Sequence, residues 1–187
     1  MAVTVVIILI LFVIIIIFSF PQFSPVPYFP SNGKDISLIL NTLAIRDCQT
    51  IIDLGAGDGI VILKAAERAF QNKLDTQFIA VEINPILLLI LHIRRLLHSN
   101  RKNIRIVNAD MFTIHYSQIT NDERRTTFYI YISPWFIEKT ISNITRQIKR
   151  FDLVSYFYQV KYLSNYKEEA KEGVHKIYRY SQTRWHE

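Results

Sequence analysis

The sequence predicts an α/β domain, a doubly wound and mostly parallel sheet of about six strands with an antiparallel edge, preceded by one N-terminal transmembrane helix. Three observations predict it. After Gly33 the apolar residues alternate between helical and strand periods, the pattern of an α/β domain. A turn with three glycines stands between the first of these strands and the helix behind it. Ahead of both, Val3 to Phe20 contains no ionisable side chain and consists mostly of Val, Ile, Leu and Phe.

About 18 apolar residues at 1.5 Å rise make a helix near 27 Å long, the thickness of a hydrocarbon core. A cleaved signal peptide would show a basic leader, a shorter apolar run and a small-residue cleavage site. None of the three is present, so residues 1–20 are expected to be a retained membrane anchor. The first basic side chains are Lys34 and Arg46, which puts the positive flank behind the span and the domain on the inner side of the membrane. Pro21, Pro25, Pro27 and Pro30 make residues 21–33 a stiff linker that cannot be helical. A dozen such residues reach roughly 35 Å at most, so the domain is held close to the bilayer.

Residues 34–187 of the 187 are the length of one domain with its own core. Net charge is +6 with pI near 9.4, which suits an anionic partner, nucleic acid or an anionic bilayer face, without deciding between them. Cys48 is the one cysteine, so no intrachain disulfide can form and a place in the core is its expected role.

Ile36, Ile39, Leu40, Leu43 and Ala44 share a helical face behind candidate caps at Ser31 and Asn32, predicting a helix from about Lys34 to Arg46. A strand over Thr50 to Leu54, the glycine turn and a helix from Ile60 to Gln71 form the first β–α unit. A second strand, Gln77 to Val81, ends at Glu82 and passes through Asn84-Pro85 into a helix with proline at its first position. That helix is apolar to Leu91, too short a run to cross a membrane, and is expected to be buried. Further strands are expected at Ile104–Asn108, Phe128–Ile132 and Phe151–Val160. Between the last two, Ser133 and Pro134 open a helix with Ile137, Ile141, Ile144 and Ile148 inward. Past the charged stretch Lys167 to Glu172, Val174 to Gln182 is expected as a sixth strand, antiparallel at the sheet edge.

The chemistry lies in Asp53-Leu54-Gly55-Ala56-Gly57-Asp58-Gly59. In an open, Rossmann-like sheet a nucleotide-like ligand lies across the strand ends at such a turn. A dinucleotide site would read G-x-G-x-x-G and present a helix N-terminus to a pyrophosphate. Here the spacing is G-x-G-x-G and an aspartate precedes it. That charge repels a diphosphate and attracts an ammonium or sulfonium. Glu82, ending the next strand, offers two acceptor oxygens to a ribose, and Asp110, after the third, can accept from an adenine amine.

These residues resemble the class I S-adenosylmethionine-dependent methyltransferases over about Val26 to Val160. Asp53, Gly55, Gly57 and Gly59 match that family's first motif, Glu82 its ribose-binding acid and Asp110 the position beside adenine. Within the class, the apolar leader, Val26-Pro27-Tyr28-Phe29-Pro30 and Glu82-Ile83-Asn84-Pro85 are similar to the membrane-anchored protein-lysine methyltransferases related to the mitochondrial enzymes that modify the ATP synthase c subunit and the adenine nucleotide translocase. The resemblance implies S-adenosylmethionine as cofactor, held by Asp53, Gly55, Ala56, Gly57, Gly59, Glu82, Asn84 and Asp110. Tyr28 can close over the donor or, equally, stand as an amphipathic tyrosine near the bilayer. It also implies a protein substrate at the membrane and a domain on the cytoplasmic or mitochondrial matrix side.

Methyl transfer from a sulfonium is an in-line displacement that needs alignment and exclusion of water more than catalytic side chains. A lysine acceptor must first lose a proton. Ser133, Pro134 and Trp135, just after the fourth strand, are the candidates on the acceptor side, with Trp135 able to line an amine channel. Each also has a plainer role, Ser133 as a helix cap and Trp135 as packing. Adenine methylation of nucleic acid is disfavoured because Ser133-Pro134-Trp135 lacks the second proline of the Asn/Asp/Ser-Pro-Pro-aromatic motif. A lipid or other small amphiphile as acceptor, and a scaffold that binds the donor without turnover, remain as alternatives. His92 and His98 lie six apart on a helix and share no face, so no metal site is expected.

Overall fold

The computed structural model describes residues 2–19, 28–121 and 123–182. Seven strands form one sheet in the order β3-β2-β1-β4-β5-β7-β6. They are β1 (Gln49–Leu54), β2 (Thr76–Glu82), β3 (Ile104–Asn108), β4 (Arg125–Ile130), β5 (Asp152–Tyr156), β6 (Lys167–Lys171) and β7 (Ile177–Ser181). The first five pair in parallel, and β7 runs antiparallel to both β5 and β6. The helices are α1 (Ala2–Ser19), α2 (Ile36–Leu43), α3 (Ile60–Gln71), α4 (Pro85–Leu96) and α5 (Pro134–Gln147).

Alternate residues of the central strands feed two cores. Ile51, Phe78, Ala80 and Val154 pack with α2 and α3 on one face. Ile52, Leu54, Ile79, Phe128 and Leu153 pack with α5 and the segment from Met111 to Ile119 on the other. Period-two burial on both faces is what a sheet with two covered sides requires.

The helix predicted from Lys34 is shorter. A 3₁₀ turn over Gly33–Asp35 precedes α2, and Ala44 ends it in the left-handed region at φ 49°. Of the two candidate caps, Asn32 accepts from the Lys34 N–H, whereas the Ser31 hydroxyl bonds to the Tyr129 hydroxyl 98 residues away. The fourth strand begins at Arg125 rather than Phe128, because Thr126 and Thr127 pair with β1 and are buried despite their polarity. The fifth stops at Tyr156, where Phe157 adopts φ 77°. The sheet has seven strands rather than about six, and the antiparallel strand at Val174–Gln182, found as β7, is not its edge. β6 is. Its sequence, Lys-Glu-Glu-Ala-Lys, is exposed almost throughout and carries the charges that keep a free edge from pairing with another chain.

Cys48 is exposed, not in the core. It turns the chain into β1 at φ 52°, with its N–H on the Asp75 carbonyl and its carbonyl accepting from Arg125. α4 is buried along one side only. Leu87, Leu88 and Leu91 face inward, whereas Leu89, Ile93, Leu96 and Leu97 are each more than half exposed.

Among the described residues, no helix is long and apolar enough to cross a membrane, so the expected transmembrane helix is not shown. Ala2–Ser19 is nevertheless helical and lacks charge at either end. Its described side chains, Val3 to Phe12 and Ile15, form a shorter run than the ~20 residues a span needs.

Asp35 ties the start of α2 to the end of β5 and the turn into β7. Its carboxylate accepts from the Tyr156 hydroxyl at 2.7 Å and from the N–H groups of Val174 and His175 at 2.7 and 3.0 Å. Asp35→Ala leaves these donors without an acceptor and is expected to cost about 2 kcal/mol. A urea midpoint equal to that of the unsubstituted protein would contradict this.

Candidate functional site

β1 lies between β2 and β4, so the connections leave it in opposite directions and open a crevice at its C-terminal end. The glycine turn occupies this crevice. The N–H groups of Gly55 and Ala56 both bond to the Val81 carbonyl, and Gly59 N–H closes back on Ala56. Gly57 and Gly59 sit at φ 60° and 78°, where a side chain is strained. A Cβ on Gly57 would also stand 2.5 Å from the Tyr28 ring, and one on Gly59 would run into Leu91 of α4.

Two of the sequence-nominated acids meet at this turn. Asp53, paired in register with Ala80 and Tyr129, is 3% exposed. Burial, then the negative charges of Glu82 and Asp58, push its carboxyl well above the usual range. Glu82, also buried, holds the turn: Oε2 accepts from Gly57 N–H at 2.8 Å, and Oε1 accepts from Ile83 and Asn84 N–H at 2.8 and 2.9 Å. Of the roughly four acceptor positions on a carboxylate, about one is left for a ligand.

Asp110 follows directly, because Ala109 N–H bonds to the Glu82 carbonyl. One of its oxygens accepts from Phe112 N–H at 2.8 Å, fixing the turn into Met111. Asn84 is buried with its Oδ1 on the N–H groups of Ile86 and Leu87, so its side chain serves α4 as a cap. Tyr28 lies across Gly57. Burial, then the Asp58 carboxylate, pushes its hydroxyl up to about 12. With the ring there, the space lined by Tyr28, Asp53, Gly55, Gly57, Tyr129 and Tyr131 is about 20 Å³, room for little more than a water.

Sequence reasoning missed four participants. Arg94 of α4 forms an ion pair with Asp58 at 2.5 Å. Met111 presses under Gly55, where a Cβ would come within 2.9 Å of its methyl. Tyr129 and Tyr131 line the crevice from β4 and the residue after it. Only its place next to Asp110 could have pointed to Met111, nothing in the sequence pairs Arg94 with Asp58 36 residues earlier, and nothing in the apolar pattern at the end of β4 separates Tyr129 and Tyr131 from core.

The three residues expected to meet an acceptor do not line this crevice: Ser133 occupies the N-cap position of α5 without a side-chain cap bond, and Pro134 takes the first turn. The Ser133 carbonyl accepts from Phe136 N–H. Trp135 is 84% exposed, so it is not packing. Phe136 instead stacks on Phe112, 5.4 Å between centroids. A larger cleft, about 750 Å³ and lined by Arg46, Cys48, Arg124, Arg125 and Lys149, opens at the opposite ends of the strands, away from the glycine turn. Among the described residues, no group of three His, Cys, Asp or Glu side chains could hold a metal ion.

No protein-family model matches the chain, and no curated protein matches it in sequence. Solved structures do. An RNA methyltransferase from Salinibacter ruber, in complex with S-adenosyl-L-homocysteine, superposes with TM-score 0.64 at 18% identity, over 85% of this chain and 97% of that one. The precorrin-6y C5,15-methyltransferase from Geobacter metallireducens gives 0.60 at 18% identity, over 82% and 90%. The 23S rRNA methyltransferase ErmE gives 0.60 at 18%, over 83% and 70%. The fold is that of the S-adenosylmethionine-dependent methyltransferases. Within a methyltransferase fold, Asp53, the glycine turn and Glu82 stand where the first two β–α units meet.

Gly57→Ala is expected to lower stability by about 1 to 2 kcal/mol, part from the left-handed backbone and part from the Tyr28 ring. In the Gly57→Ala/Tyr28→Ala double variant, only the ring's share should return. Full additivity of the two single losses in a double-mutant cycle would show that ring and turn do not touch.

Proposed function

We propose that the chain is an S-adenosylmethionine-dependent methyltransferase acting on lysine in a membrane-embedded or membrane-adjacent protein. The observation that carries the donor assignment is Asp53, a buried carboxyl beside two other carboxylates at a glycine turn. Such a site rejects a diphosphate and favours a cation. The residues present fit this donor: Asp53 would pair with its ammonium, and the bare backbone of Gly55 and Gly57 would permit close approach. Glu82 would take a ribose hydroxyl on its remaining acceptor position, and Asp110 would accept from the adenine amine. When bound, the donor supplies an electrophilic methyl group on sulfur.

Pockets for ligands of this size run to several hundred Å³. The Tyr28 ring must therefore swing off Gly57 to admit the donor and can then close on it, which excludes water from the transfer. Trp135, exposed at the start of α5, would offer an aromatic face to an incoming alkylammonium, and the Ser133 hydroxyl, which makes no cap bond, would accept from the amine N–H. The lysine reading rests on α1, whose described apolar side chains are mostly more than half exposed. A helix without a polar face needs an apolar surrounding, and we assign it to a bilayer, as the anchor that brings the domain to its substrate.

The test incubates the full chain with methyl-labelled donor and membrane fractions, then hydrolyses the labelled protein. Methyl-lysine in a protein band is expected. Label recovered only in extracted lipid would overturn the acceptor, and donor binding without any transfer would overturn the activity.

A further inference from the structure

α4 carries a stripe that the domain does not use. Leu89, Ile93, Leu96 and Leu97, at spacings of four, three and one, fall within about 100° of one helical face and are 61%, 51%, 61% and 85% exposed. The chain around them is charged with one sign. From Ile83 to Ala109 there are five basic residues, Arg94, Arg95, Arg101, Lys102 and Arg105, and no Asp or Glu. Arg101, Lys102 and Arg105, just past the end of the stripe, are exposed. An apolar helical stripe bordered by cations is the pattern of a helix that lies in a membrane interface, its side chains in the acyl boundary and its cations among anionic headgroups.

The position of the tether fits the same surface. Tyr28 contacts Asp58, and Asp58 is ion-paired to Arg94 on α4. The strap that leads back to α1 therefore leaves the domain beside this helix. Only residues 20–27 separate it from Ser19, and nine steps of chain reach about 30 Å at most. An anchored α1 would hold α4 within reach of the headgroups.

We propose that the outer face of α4 with the basic turn behind it is a bilayer-seating surface for anionic lipid, which lays the domain on the membrane with its donor crevice at the headgroup level. The proposal rests on the membrane half of the reading above and not on the acceptor.

The test places the full chain in phosphatidylcholine vesicles containing phosphatidylglycerol. In a Cys48→Ser background, Leu96→Cys carries an environment-sensitive fluorophore. Arg146→Cys, exposed on α5 across the sheet, is the control. The Leu96→Cys label should shift to the blue and be quenched several-fold more by nitroxide lipids than the control, and the difference should shrink in purely zwitterionic vesicles. Equal emission and quenching at the two sites, or shielding that appears only when a partner protein is added, overturns the proposal. Flotation of the same vesicles reads α1 separately. A chain that floats while the Leu96→Cys label stays in water keeps its anchor and loses this surface, and a chain that does not float loses both.

Discussion

Asp53→Asn will cost the protein its donor while making the empty chain more stable. In the folded protein the Asp53 carboxyl is buried against the charges of Glu82 and Asp58, and its proton is held well above the ordinary carboxylate range. A group whose native pKa is raised contributes stability that is complete below its unfolded value, about 3.9, and is lost as pH rises through the native value. Asparagine has no proton to lose. The variant should therefore match the parent at pH 4 and exceed it at pH 8 by about 1 kcal/mol or more, read from urea midpoints at the two pH values. Binding responds in the opposite direction. Removing one partner of a buried charge pair costs about 2 to 5 kcal/mol, which is roughly 30-fold to several thousand-fold in Kd. Calorimetry that finds the donor bound to Asp53→Asn within threefold of the parent would remove Asp53 from the site.

With the proposed donor paired to it, the same carboxyl should make affinity depend on pH. A cationic ligand pairs with ionised Asp53, so below the native pKa a proton must leave before the pair forms. Affinity should rise up to about tenfold per pH unit through that range and flatten above it, with proton release detectable by titration in buffers of different ionisation heat. The Asp53→Asn variant should show no such slope.

The sheet was legible in the sequence where burial and periodicity coincide. β1 and β2 were readable because their apolar residues are in the core, β3 because Ile104 is buried and Ile106 and Val107 pack against the two cores, and α3 because its inward face repeats at helical spacing. β6 was not, since an edge strand needs its charges more than it needs apolar side chains. Thr126 and Thr127 hid the start of β4, because pairing with β1 buries them whatever their polarity. α4 misled in the other direction: continuous apolar sequence reads as burial, yet a helix on the outside of a sheet can bury only one side. At the site, Asp53, the glycines and Glu82 were visible from charge and spacing alone. Asn84 has a duty that the resemblance did not imply: the same Asn-Pro step is also a good helix start, and its Oδ1 atom is engaged there.

Glu82 was nominated for a ligand, and the structure gives it a prior duty that makes its loss the most damaging to the fold. Three backbone N–H groups, of Gly57, Ile83 and Asn84, converge on its two oxygens. Hydrogen bonds to a charged acceptor contribute about 1.5 to 3 kcal/mol each, and donors left buried and unpaired add to the loss. Glu82→Ala should therefore lower stability by about 4 kcal/mol, a fall in melting temperature on the order of 10 °C for a chain of this length. Glu82→Gln separates the two duties. Its single carbonyl can serve Ile83 and Asn84, and its amide then turns donors toward Gly57 N–H, releasing only the glycine turn at about 1 to 2 kcal/mol. A carboxylate that served ribose alone would leave both melting temperatures where they were and change only the stabilisation conferred by added donor. The ratio of the two thermal shifts thus reports how much of the donor site is built by the ligand's partner and how much by the turn that this partner holds in place.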